Sequence, residues 1–118
     1  MFVDRLQQIS SRIEGALALS IVARDGMLVE SASSSPDDLD LEVIAAELMT
    51  QVRAISQNHQ ELSVGVVRHL SVVTDKMVMM VTTISREYSL LLVLEEGANT
   101  GKARFELRRS ALVFEGEL

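Results

Sequence analysis

Cysteine is absent from the 118 residues. Disulfides, thiol nucleophiles and thiolate metal centres are therefore excluded together. Histidine is almost as scarce, and His59 and His69 alone are poor material for a zinc site. Tryptophan is missing and aromatics make up only 3% of the chain, so there are few flat platforms on which bases or sugars could stack. Positive charge is also in short supply, with 11 Lys and Arg against 17 Asp and Glu. A net charge of −6 and a pI near 4.8 oppose binding to nucleic acid or to anionic lipid. No segment reaches the roughly 18 apolar residues of a membrane span, and the first residues lack a basic region followed by an apolar signal core. These absences predict a soluble, cytoplasmic protein with no nucleic-acid partner and no direct membrane insertion.

What remains is aliphatic. The apolar fraction is 47%, carried by Val, Leu, Ile, Ala and Met, and a chain of this length has room for one domain, 1–118, with a core. There is no internal repeat. The single proline, Pro36, follows a serine-rich stretch that breaks the chain between two patterned regions.

Phe2, Leu6, Ile9 and Ile13 recur at spacings of three and four, which predicts a short helix ending near Gly15. Residues 16–23 are apolar on both parities, the pattern of a strand covered on both faces. Asp25-Gly26 is a hairpin signal, returning into a strand over 27–33. Asp37, Asp38 and Asp40 are placed to cap a long helix running to about Gln57. Leu41, Ile44, Ala45, Leu48, Met49, Val52 and Ile55 occupy its core face. Leu39, Val43 and Ala46 fall on another side, close to Thr50, and are surplus to a monomer's core.

Residues 63–74 predict a third strand, with Val64, Val66, Leu70 and Val72 on one parity. Strands over 77–84 and 88–94 follow through short turns that require antiparallel neighbours. A last helix should run from about Thr100 towards Phe114, with Ala103, Leu107, Ala111 and Phe114 on one side. The order is α-β-β-α-β-β-β-α, an α+β fold with helices on both faces of a five-stranded, antiparallel-rich sheet. Residues 63–74 follow a helix instead of a hairpin, so they are a candidate sheet edge. An apolar edge is normally covered or paired. Edge pairing together with the surplus helix face predicts a homodimer, or assembly with a paralogous copy.

Chemistry finds little support. In Gly97-Ala-Asn-Thr-Gly-Lys102 the glycines are too close for a P-loop, and Ala103 stands where a magnesium-binding hydroxyl is required. A nucleotide-binding enzyme built on this loop is the weakest alternative. The acidic run near Asp37 lacks calcium-loop spacing and reads as a solvated helix start. His69, beside Arg68 on the expected edge, reads as an interface or exposed residue, not as a catalytic base. Met77, Met79 and Met80 read as core. Arg104, Arg108 and Arg109 form a small basic patch on the last helix that could meet an acidic surface. No catalytic residue, metal or cofactor is expected.

The order of elements, the segment Asn99-Thr-Gly-Lys-Ala-Arg-Phe-Glu-Leu-Arg-Arg-Ser-Ala111 and the early Asp25-Gly26 hairpin together resemble the Roadblock/light-chain-seven family over practically the entire chain. The resemblance implies a Roadblock/profilin-like α/β sandwich with one long helix on one face and two helices on the other. It also implies dimerisation through the third strand and the long helix, and a noncatalytic role in regulating or scaffolding a small Ras-like GTPase. A structural or motor-complex adaptor without nucleotide-state selectivity is the alternative it leaves open. Its MglB-like members carry an Ala-Gly-rich segment in the long helix, where this chain has Leu41-Glu-Val-Ile-Ala-Ala-Glu-Leu-Met49. On this carry-over the dimer or partner interface comprises Leu39, Val43, Ala46, Thr50, Arg53, Val64, Val66, Arg68, His69 and Leu70.

Overall fold

The computed structural model describes residues 2–33, 39–63 and 65–118, with backbone only for 58–62. The elements are α1 (Val3–Ser11), β1 (Ala16–Ala23), β2 (Leu28–Ser33), α2 (Leu41–Leu62), β3 (His69–Val73), β4 (Met77–Thr83), β5 (Tyr88–Glu95) and α3 (Thr100–Glu115). Their order matches the expected one. All strand pairs are antiparallel, and the sheet runs β2-β1-β5-β4-β3.

Alternation along the strands creates two cores. On one face Leu19, Ile21, Leu90 and Leu92 pack with Leu6 and Ile9 of α1 and Leu107 and Phe114 of α3. On the other, Ala18, Val22, Leu91 and Val93 pack with Ala45, Leu48 and Met49 of α2. One long helix therefore covers one face and two helices the other. The apolar character of β1 and β5 on both parities follows from their inner positions between these layers. Phe114 is fully buried and meets Phe2 edge-to-face, with ring centroids 5.7 Å apart. The Arg5 guanidinium lies 5.6 Å from the centroid of the Phe114 ring and pairs with Glu117. Phe2 N–H donates to the carboxylate of Glu30 at 3.1 and 3.2 Å, joining the start of α1 to β2.

Three boundaries differ from expectation. Helix α1 stops at Ser11, and the chain continues through a turn to Gly15, whose φ of +85° favours glycine. Helix α2 continues to Leu62, five residues past Gln57, because the polar stretch beyond it contains no helix breaker before Ser63, where φ is +55°. Strand β3 is correspondingly short, since Gly65 at φ +106° turns the connection and β4 ends at Thr83, leaving nothing for residues 65–67 to ladder against. Asp40 caps α2 by accepting the Val43 N–H at 3.2 Å. The proposed contributions of Asp37 and Asp38 to this cap, the Ser34–Pro36 break and the parity assigned to Val64 lie outside the described residues.

Candidate functional site

Strand β3 is a sheet edge, paired only with β4. The Arg68 carbonyl accepts from Thr83 N–H at 3.0 Å, and Thr74 N–H donates to the Met77 carbonyl at 2.9 Å. In an antiparallel ladder the direction of backbone bonding alternates, so the N–H and C=O groups of His69, Ser71 and Val73 point away from β4 towards the open edge. Val72 packs at the margin of the α2-side core, and Leu70 shares its parity and is half-buried. Val66, in the connection that leads into the strand, is 79% exposed.

The side chains of His69, Ser71 and Val73 lean to the α3 side. His69 Nδ1 lies 2.8 Å from Thr82 Oγ1 and its Nε2 lies 2.6 Å from Ser71 Oγ. Both ring nitrogens are thus occupied by hydroxyls, which can donate or accept as the tautomer requires. Burial first, and then the positive charge of Arg104, hold the imidazole below its ordinary pKa. His69 is consequently a positioned edge residue whose surroundings favour the neutral imidazole. Among the described residues, its ring nitrogens meet the Thr82 and Ser71 hydroxyls and no carboxylate that would orient it for proton transfer.

On α2, Val43 is 62% exposed. Ala46, Thr50 and Arg53 continue the same side at spacings of three and four, all exposed. Leu39 sits differently, half-buried against the α2-side core. The outer side of α2 also has an intramolecular partner that sequence reading missed. Gly26, buried at the tip of the β1–β2 turn with φ +95°, approaches so closely that a Cβ there would stand 3.0 Å from the Ala46 Cα. Arg53 donates to the Arg24 carbonyl of the same turn and reaches Thr50 Oγ1 at 3.3 Å. Part of the apparent surplus on α2 is therefore a seat for the first hairpin. Arg24, Asp25, Arg53, Glu87 and Tyr88 line the open, charged depression beside it, of about 470 Å³.

The basic residues of α3 lie far from α2, across the sheet. Arg104, Arg108 and Arg109 are exposed, and Arg109 makes a loose 3.8 Å contact with Glu106. The loop before α3 is built for capping. Asn99 Oδ1 accepts from Lys102 N–H at 3.1 Å, and Gly97 supplies a turn at φ +83°. A phosphate at this position would compete with the helix's own cap. Among the described residues, no cluster of three or more His, Asp or Glu side chains gathers at a metal-binding distance, and no helix is long and apolar enough to cross a membrane.

An antiparallel five-stranded sheet with one long helix on one face and two on the other defines a small α+β sandwich. The chain belongs to the Roadblock/LC7 domain family, whose model matches residues 2–95. Among solved structures it is similar to MglC from Myxococcus xanthus at 33% identity and a TM-score of 0.73, over 99% of this chain and 98% of that one. A Roadblock/LC7 domain from Streptomyces avermitilis superposes with a TM-score of 0.85 at 15% identity, covering 98% and 95% of the two chains. The gliding protein MglB from Thermus thermophilus superposes with a TM-score of 0.82 at 18% identity, covering 96% and 87%. A comparison with curated proteins found no match.

Proposed function

We propose that this chain is a noncatalytic homodimeric binding module that regulates or scaffolds a small Ras-like GTPase in the cytoplasm. The observation that carries the reading is the open β3 edge, which directs the backbone groups of His69, Ser71 and Val73 outward and accompanies an α2 whose Val43 is exposed. Membership of the Roadblock/LC7 family, whose members are generally noncatalytic regulators, supports the same reading. So does similarity to MglC and MglB, one of whose structures is described as tetrameric.

Two copies joined antiparallel through β3 form a two-fold, self-complementary contact and a continuous sheet across both. Five residues of strand cannot alone bury the roughly 1,200–2,000 Å² of a stable interface, so the α2 helices must add to it. Val43 is the exposed side chain available for that, with Ala46, Thr50 and Arg53 continuing its side beside the hairpin that Ala46 and Arg53 seat. Regulation requires differential affinity for the two nucleotide states of the GTPase, whereas a scaffold can bind both equally. The test is titration of the Ras-like GTPase of the same organism, loaded with GDP or with a non-hydrolysable GTP analogue. The expected result is at least about tenfold tighter binding of one state, lost on Val43→Glu. Equal affinities with unchanged hydrolysis and exchange contradict regulation, and no binding to either state contradicts the proposal as a whole.

A further inference from the structure

Helix α3 presents a second, outward face. Its buried side is formed by Ala103, Leu107, Ser110, Ala111 and Phe114. Phe105 and Leu112, seven residues apart, fall within about 20° of one another on the opposite side. They are 62% and 63% exposed. Lys102, Arg104, Arg108 and Arg109 border Phe105 and the N-terminal side of Leu112, so a chain of net charge −6 gathers four of its 11 cations beside this apolar pair; Val113 is exposed next to Leu112 and Glu115 lies beyond it. Among the described residues, only Arg109 of these four has an ion-pair contact, the loose one with Glu106. An ordinary solvated helix face puts polar groups at the centre of its outward stripe. Here the centre is apolar and the polar groups form the border, which is the arrangement of an interface with a hydrophobic middle and a charged rim.

We infer that the outer face of α3 docks an acidic amphipathic helix of another protein. Phe105 and Leu112 stand about 10.5 Å apart along the axis and would receive two apolar anchors spaced two turns apart on that helix. Carboxylates bordering those anchors would pair with Arg104, Arg108 and Arg109, the planar guanidinium groups offering two-pronged contacts. An anionic bilayer fits less well, because the molecule as a whole is acidic and the exposed apolar side chains Phe105, Leu112 and Val113 are a small membrane-binding face. Helix α3 and α2 lie on opposite faces of the sheet, so Phe105 and Leu112 are separate from the α2 face assigned to the GTPase, although Arg104 comes near His69 of the β3 edge.

The probe is a synthetic, helix-stabilised peptide carrying two leucines seven residues apart, bordered by glutamates and fluorescently labelled, titrated with the intact protein at low and moderate salt. A peptide with lysines in place of the glutamates is the control. Saturable, salt-sensitive binding of the acidic peptide is expected, weakened about tenfold or more by Phe105→Ser and by Arg108→Glu/Arg109→Glu, and unchanged by Val43→Glu. All the substituted positions are exposed, and thermal melts establish that the variants remain folded. The inference is overturned if the acidic peptide fails to bind, if it binds no better than the basic one, or if the α3 variants bind it as well as the native chain. It is also overturned if phosphatidylserine vesicles occupy the face in preference to the peptide. Self-association beyond a dimer that Phe105→Ser abolishes would make a second copy the occupant instead.

Discussion

Gly26 and His69 illustrate how single residues serve the proposed surfaces. Gly26 combines a φ of +95° with a 3.0 Å approach of any added Cβ to the α2 backbone. Replacing it with alanine imposes backbone strain and a contact that cannot relax into a side chain. Gly26→Ala should destabilise the fold by about 2 kcal/mol, read as a lower urea midpoint at unchanged slope, and should loosen the hairpin from Ala46. His69 makes a prediction about pH. Its folded-state pKa is lowered by burial and then by Arg104, so the unfolded chain takes up the proton more readily. The sign follows from linkage: stability is intact above the unfolded value near 6.5 and falls as pH drops through and below it. Urea midpoints between about pH 7 and pH 5 should decline more steeply for the native chain than for His69→Gln. A parallel decline in both would remove His69 from the account.

At the scale of elements, α3 is the best example of agreement between pattern and structure. Ala103, Leu107, Ala111 and Phe114 were legible as one inward stripe because their spacing repeats the helical period. Phe114→Ala should cost about 3–5 kcal/mol, measurable by chemical denaturation, since the ring is fully buried against Phe2 and beneath Arg5. The outward pair Phe105 and Leu112 does not stand out in the sequence, because the inward stripe alone accounts for a helix packed on the sheet. Strand β1 matched its expected bounds, its double-parity apolar run being bracketed by Gly15 and the Asp25-Gly26 turn. Helix α2 and β3 did not, for linked reasons. The stretch at 58–62 carries too few apolar residues to show a helical period, yet helix propagation needs only the absence of a breaker. Each residue added to α2 came out of the connection and left β3 short. The seating of the first hairpin on Ala46 and Arg53 was illegible for another reason: it joins residues about twenty to thirty apart through a tertiary contact that no local spacing encodes.

For the molecule as a whole, the two sheet edges are unequal. Strand β2 has α1 packed near it, while β3 carries outward-facing backbone groups and is preceded by an exposed Val66. The functional reading depends on what becomes of that second edge, because its pairing is the step proposed to bring two α2 helices into one composite surface. The β3 ladder offers a substitution that separates pairing from folding. Ser71 N–H points away from β4, so Ser71→Pro removes a donor from the open edge without removing a ladder bond within the chain, and edge strands tolerate proline. Ser71→Ala keeps that donor and removes only the hydroxyl near His69. Sedimentation equilibrium over a concentration series is the most direct measurement. The account predicts a dimer for the native chain and for Ser71→Ala, and a folded monomer for Ser71→Pro. A native chain that remains monomeric at all concentrations, or a Ser71→Pro variant that dimerises as tightly as the native chain, would contradict it.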